Sequence, residues 1–149
     1  MFIGREKELA SLKLLLDKPT ASLVACRGRR RIGKSTLFGE FARREKLGFI
    51  TIEGLGPRKG QTNADQLRNF GERLAEQTRG KLVVPQSWPE AFRLLSRRIP
   101  RRGRQLVLLD EISWMGKHAL HMPKNYRSTV LPLMVRPLRF LRFHISETL

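Results

Sequence analysis

Apolar residues recur along the first 115 residues in two kinds of segment that alternate. One kind has helical spacing, as where Leu9, Leu12, Leu15 and Leu16 fall on one face. These segments are residues 5–17, residues 34–46, a stretch from residue 64 and a stretch from residue 87. The other kind is a short continuous apolar run, at residues 22–26, 47–52 and 106–109. The alternation predicts an α/β fold with a parallel sheet of buried strands.

The junction between the first apolar run and the next helical segment reads "LVACRGRRRIGKSTLF". Gly28, Gly33, Lys34 and Ser35 match the pattern G-x-x-x-x-G-K-[ST] of a phosphate-binding P-loop. Two glycines let the backbone curl so that its N–H groups surround an anion. In this motif Lys34 contacts the β- and γ-phosphates, and the Ser35 hydroxyl binds Mg²⁺.

An accidental match on a surface turn is the alternative explanation of this motif. The context favours the P-loop, because an apolar run precedes it and a helical segment follows it, in the order that the motif requires. Thr36 continues into that helix, whose N-terminus also attracts an anion.

A second chemical signal lies at "QLVLLDEISW", residues 105–114. Four apolar residues end in Asp110 and Glu111, 76 positions (110 − 34) after Lys34. A carboxylate at a strand end can hold Mg²⁺, so Asp110 is the candidate metal residue beside Ser35. A neighbouring carboxylate can activate a water, so Glu111 is the candidate general base. Lys34 is the second candidate catalytic residue, because it would stabilise charge on the phosphates.

Together with "FIGREKELASL" at the start, "GRRRIGKSTL" and "LVLLDEISWM" make the chain resemble the archaeal-type ATPases, which are related to the AAA+ and STAND groups of P-loop NTPases. The resemblance implies a three-layer α/β/α P-loop NTPase core over residues 1–115, with ATP and Mg²⁺ as ligands. It also implies that Phe2 and Ile3 lie near the adenine, although packing against the first helix would explain them equally well. The residues that it assigns to nucleotide binding are Phe2, Ile3, Gly28, Arg29, Arg30, Arg31, Ile32, Gly33, Lys34, Ser35 and Thr36.

Residues 116–149 form a divergent basic tail that does not resemble the continuation of that family. The family places a later strand between the P-loop strand and the acidic strand. Pro132 interrupts one candidate, residues 128–135, and Arg139 and Arg142 would have to be buried in the other, residues 138–145. We therefore expect no such strand, an incomplete sheet, and weak or absent hydrolysis. His118 and His121 lack a third ligand nearby, and the tail could instead contact a protein partner.

The composition adds a formal net charge of +17, from 30 basic and 13 acidic residues. Such an excess can attract nucleic acid, although a solvated surface is the simpler explanation and no helix-turn-helix, zinc-finger or RNA-binding signature accompanies it. No apolar run suggests a membrane span, and the single cysteine fits a reducing cytoplasm.

The sequence therefore predicts the Mg²⁺–ATP-binding P-loop domain of an ATPase. Two alternatives stay open: a nucleotide-binding module without turnover, and a basic nucleic-acid-binding fragment.

Overall fold

The computed structural model describes residues 4–18, 22–26, 33–100, 102–117 and 141–144. Helices and strands alternate in the order that the apolar pattern predicted, which confirms the α/β fold. The elements are α1 (Glu6–Leu16), β1 (Leu23–Cys26), α2 (Lys34–Arg44), β2 (Gly48–Glu53), α3 (Asn63–Thr78), α4 (Trp88–Arg98), β3 (Gln105–Asp110), α5 (Ile112–Lys117) and β4 (Leu141–His144).

The four strands form one parallel sheet in the order β1-β4-β3-β2. Strand β2 pairs with β3 from Gly48 opposite Gln105 to Glu53 opposite Asp110. Because the strands are parallel, all of their carboxyl ends reach the same edge of the sheet. That edge carries the end of β3, where the acidic pair begins.

Two apolar clusters cover opposite faces of β3. Val107 and Leu109 belong to the cluster built with α3 and α4, whereas Leu106 and Leu108 belong to the cluster built with α1 and α2. Successive strand residues point to opposite faces, so a strand buried on both sides must be a continuous apolar run. The run 106–109 satisfies that requirement, and helices therefore lie on both faces of the sheet.

Strand β4 contradicts our expectation that the tail contributes no strand between β1 and β3. Leu141–His144 pairs with β1, where Ala25 lies opposite Phe143, and with β3, where Leu109 lies opposite Phe143. The proline and arginine side chains of the tail disfavour a buried strand. The backbone groups of β1 and β3, which need hydrogen-bond partners, favour one. Without β4, β1 and β3 would each present unpaired N–H and C=O groups inside the protein. Residues 128–135 and Arg139 lie outside the described residues.

Helix α3 covers the outer edge of β2 with amide side chains. Gln77 accepts a hydrogen bond from the backbone N–H of Thr51 at 2.8 Å and donates to the carbonyl of Thr51. Asn69 donates to the carbonyl of Glu53 at 2.8 Å. An edge strand exposes unpaired backbone groups, and side chains that bond to those groups prevent them from pairing with another chain.

Helix α4 begins with a side-chain cap at Ser87 but without a reciprocal capping box. The Ser87 hydroxyl accepts from the N–H of Glu90 at 3.4 Å, but the Glu90 carboxylate accepts from the N–H of Gln86 at 2.8 Å. The reciprocal box occurs instead at Thr62 and Asp65, where α3 begins.

Among the described residues, no helix has both the length and the apolar character that crossing a membrane requires.

The position of β4 predicts the effect of proline within it. Phe143→Pro removes a backbone donor that a central strand needs, whichever neighbour that N–H faces. Phe143→Ala removes the side chain but keeps the donor, so it is the matched control. We expect the proline variant to be less stable than the alanine variant by about 1–3 kcal/mol in urea unfolding. Equal stabilities would mean that β4 does not pair on both sides.

Candidate functional site

The Ser35 hydroxyl donates a hydrogen bond to Oδ2 of Asp110, although the two residues are 75 positions apart. Ser35 lies in the first turn of α2, and Asp110 is the last residue of β3. The strands that lead to these residues are not neighbours, because β4 lies between them and separates them by about 9.6 Å. The start of α2 therefore reaches across the sheet to the acidic strand end.

The Asp110 carboxylate is fixed through both of its oxygens. Besides the bond from Ser35, the backbone N–H of Glu111 donates to Oδ1 at 3.0 Å. The backbone carbonyl of Asp110 accepts from the N–H of Gly54 at 3.0 Å, which continues the pairing with β2 beyond the strand end. Such fixed carboxylate oxygens are suited to binding a hard cation.

The start of α2 has the backbone conformation that a phosphate site requires. Gly33 precedes the helix with φ of 76° and ψ of 29°, a left-handed conformation that glycine adopts without strain. Glycine has no side chain, so Gly33 provides no side-chain cap for the helix. Lys34 follows and is only 6% exposed. A buried ammonium group is tolerated where negative charge accompanies it.

Glu111 has an unusual backbone conformation, with φ of 51°. This left-handed region costs a residue other than glycine about 1–3 kcal/mol unless the surroundings enforce it. The Glu111 carbonyl accepts from the N–H of Trp114 at 2.9 Å, which starts α5, and the residue is 9% exposed. The start of α5 thus holds the candidate base in one conformation.

Gly54 allows the backbone of Glu111 to approach the end of β2. A Cβ atom at Gly54 would lie 2.7 Å from the carbonyl oxygen of Glu111 and 3.0 Å from Cγ of Met115. Only a residue without a side chain fits there, so Gly54 positions the acidic pair. This role of Gly54 was not among the predictions from the sequence, although a glycine directly after a strand can signal a close backbone approach.

Gln66 connects the loop after β2 to α5. Its Oε1 accepts from the N–H of Leu55 at 2.9 Å, and its Nε2 donates to the carbonyls of Leu55 at 2.9 Å and Trp114 at 3.4 Å. The side chain is 1% exposed. A signal was available in the sequence, since Gln66 shares a helix stripe with Phe70 and Leu74 and is the polar member of it.

The structure brings Ser35 and Asp110 into contact. Gly33 and Lys34 directly precede Ser35 in the chain, and Glu111 directly follows Asp110. Thr36 is exposed in the first turn of α2. The other residues assigned to nucleotide binding lie outside the described residues: Phe2, Ile3, Gly28, Arg29, Arg30, Arg31 and Ile32.

Ser35 and Asp110 offer oxygen donors, which suit Mg²⁺ better than a transition metal. Across the described residues, no group of three or more His, Cys, Asp and Glu side chains could hold a metal ion. His118 and His121 fall outside those residues.

Comparison with known proteins gives one weak similarity. No protein-family model matches the chain. It is 25% identical over 169 aligned positions to the uncharacterized protein MJECL04 of Methanocaldococcus jannaschii. The alignment covers 99% of this chain but 38% of that relative, so the chain spans well under half the length of the curated protein that it matches.

The buried position of Gln66 predicts a stability cost for its replacement. Gln66→Leu leaves the N–H and C=O of Leu55 without their side-chain partner inside the protein, which costs about 1–3 kcal/mol. Gln77→Leu is a matched control, because Gln77 makes the same pair of bonds to Thr51 but is exposed, where water can replace it. Urea unfolding and hydrogen exchange of the Leu55 amide measure the difference. Equal costs for the two variants would argue against a special role of Gln66.

Proposed function

We propose that the chain is the Mg²⁺–ATP-binding P-loop domain of an ATPase that resembles the archaeal-type ATPases, with a three-layer α/β/α P-loop NTPase core. The observation that carries the proposal is the hydrogen bond from Ser35 to Asp110. In P-loop NTPases the corresponding hydroxyl and carboxylate hold the same Mg²⁺ ion. Two residues with no local reason to meet are in contact, and they are the two that the motifs assign to the metal.

The start of α2 supports phosphate binding. Gly33 has a left-handed conformation and no side chain that could cap the helix, and Lys34 adds a cation. These groups would bind the β- and γ-phosphates through the backbone and through one point charge. In the sequence, Gly28 and the three arginines complete the loop, and the resemblance assigns Phe2 and Ile3 to the adenine.

Ser35 and Asp110 would hold Mg²⁺, directly or through water, because both present oxygen ligands at one place. When bound, the ion would supply positive charge against the negative charge that develops on the phosphate oxygens.

Glu111 would act as the general base. It would accept a proton from a water that attacks the γ-phosphorus, while the bond to the β-phosphate oxygen breaks and ADP leaves with inorganic phosphate. Gly54 and the start of α5 hold the backbone of Glu111 in place, and a fixed base is what proton transfer requires.

Strand β4 favours turnover over nucleotide binding alone. Our expectation of weak hydrolysis rested on a missing strand between β1 and β3, and Leu141–His144 occupies that position. A binding module without turnover is the second candidate. It differs from the first only in the hydrolytic step, so a variant of the base separates the two.

The proposed P-loop predicts that Mg²⁺–ATP stabilises the protein. At Mg²⁺–ATP near 100 times the dissociation constant, linkage stabilises the native protein by about 2.7 kcal/mol, visible as a higher melting temperature. Lys34→Ala should remove most of this shift, because it deletes the cation at the phosphates. Lys13→Ala, an exposed lysine on α1, is the matched control and should keep the shift. Equal shifts in the two variants would overturn the assignment of the P-loop.

The proposed role of Glu111 predicts the effect of its substitution on hydrolysis. Glu111→Gln keeps the shape of the side chain but cannot accept the proton, so ATP should still bind while kcat falls by about 10²–10⁴-fold. Glu53→Gln is the control, because Glu53 is an exposed carboxylate opposite Asp110 in the neighbouring strand. Turnover unchanged by Glu111→Gln would reassign the base. ATP binding without any turnover in the unmodified chain would favour the binding module.

A further inference from the structure

Basic residues gather at the sheet edge where the strands begin, opposite the edge that holds Ser35 and Asp110. Helices α2 and α4 run toward that edge, since each ends shortly before a strand that begins there. Helix α3 ends there too, because Arg98 at the end of α4 contacts Thr78 and Lys81. We call the exposed basic residues of this surface the basic edge, apart from Arg43 and Arg44, which pair with Glu40. They are Lys18, Lys46, Arg79, Lys81, Arg97, Arg102 and Arg104.

Direct contacts join the chain segments that carry the basic edge. The carbonyl of Arg104 accepts from the N–H of Gly48 at 3.0 Å, which joins the starts of β2 and β3. The guanidinium of Arg104 lies 3.7 Å from the Asp17 carboxylate, which adds the end of α1. Arg98 donates to the carbonyl of Lys81, which joins the ends of α3 and α4. These contacts form two groups, and the chain links them, because Arg98 at the end of α4 precedes Arg104 before β3 by six positions.

The positive charge of the basic edge is largely unbalanced. Arg104 has its ion pair with Asp17, and within the described residues the other six members form none. The acid nearest to Lys46 in sequence is Glu45, which is paired with Lys13 at 3.2 Å. Like charges repel when they are held together, so such a surface is stabilised by an anionic partner.

The end of α2 shows how the same protein neutralises basic residues. Arg43 and Arg44 both bond to Glu40, and Arg44 also pairs with Glu6 at 3.0 Å. Hydrogen bonds from Arg43 and Arg44 lower the pKa of Glu40 to about 2, so the carboxylate stays ionised at neutral pH. At the basic edge the acids Asp17, Glu45 and Glu76 are paired with one basic residue each, Arg104, Lys13 and Arg73.

We propose that the basic edge binds the phosphate backbone of nucleic acid. The four strands span about 14 Å across the sheet, and a duplex carries one phosphate charge per roughly 1.7 Å of axis. That length of duplex carries about eight phosphates over its two strands, a number similar to the seven cations of the basic edge. Arginine, which makes up four of the seven residues, bonds phosphate through two parallel N–H groups.

The two surfaces lie at opposite edges of the sheet, so nucleic acid and Mg²⁺–ATP bind at the same time. The interaction does not depend on the P-loop, and its failure is distinguishable from failure of the proposed function. Contacts to phosphate alone read no bases, so binding at the basic edge is independent of sequence.

The test measures fluorescence anisotropy of a labelled duplex of about 20 base pairs, titrated with the full chain between about 50 and 200 mM salt. Arg97→Gln/Arg102→Gln removes two cations of the basic edge that have no ion pair. Arg58→Gln/Lys59→Gln is the matched control, with the same change of charge in the exposed loop after β2, at the opposite edge. Melting temperatures verify that both variants fold, and Lys34→Ala should bind the duplex as the unmodified chain does.

We expect the edge variant to reduce the slope of log K against log salt by about 2, since each lost phosphate contact reduces it by about one. The control should keep both slope and affinity. Equal losses in the two variants would show that only the total charge matters and would overturn the proposal. Absence of duplex binding near 50 mM salt would overturn the proposal too. So would poly-L-glutamate that competes as strongly as unlabelled duplex, because that result would indicate an acidic protein as the partner.

Discussion

The structure depends on complete burial of strand β3. Leu106, Val107 and Leu109 are 0% exposed, so both faces of the strand need apolar cover and both of its edges need backbone partners. Helices α1 and α2 cover one face and α3 and α4 the other, while β2 and β4 pair with the two edges. The requirement also explains why the tail contributes a strand, because nothing else among the described residues pairs with the inner edge of β3.

The candidate site follows from the same arrangement. The apolar part of β3 ends at Leu109. The polar residues that follow, Asp110 and Glu111, therefore lie at the carboxyl edge of the sheet. Helix α2 starts at that edge, which gives Ser35 access to Asp110. Gly54 and Gln66 hold the acidic pair from the other side. Gly54 has no side chain and lets the backbone of Glu111 approach, and Gln66 makes three hydrogen bonds to backbone groups of Leu55 and Trp114. The side chains of the proposed nucleotide site are thus held in place by contacts within the protein.

Charge is distributed unequally between the two edges of the sheet. The carboxyl edge combines Lys34 with Asp110 and Glu111, a mixture of signs suited to a metal–nucleotide complex. The opposite edge carries the seven residues of the basic edge and the acids Asp17, Glu45 and Glu76. Because salt screens charges over about 8–10 Å, the two edges act on their ligands independently. The domain that we propose thus separates a compact, directional site for nucleotide from a broad site for polyanions.

The sequence by itself determined the elements with strong local signals: the amphipathic helices, the apolar strands, the left-handed Gly33 before α2, and the Ser35, Asp110 and Glu111 candidates. Their signals are periodicity, glycine spacing and strand-end polarity, all readable within a few residues. Tertiary structure alone decided the place of β4. Hydrogen bonding to the backbone edges of β1 and β3 stabilises a strand there, although Leu141–His144 contains an arginine. It also decided the roles of Gly54 and Gln66, which depend on the approach of Glu111 and Trp114 from 48 to 57 positions away. Contacts between distant segments involve backbone atoms that every residue shares, so residue identity carries little record of them.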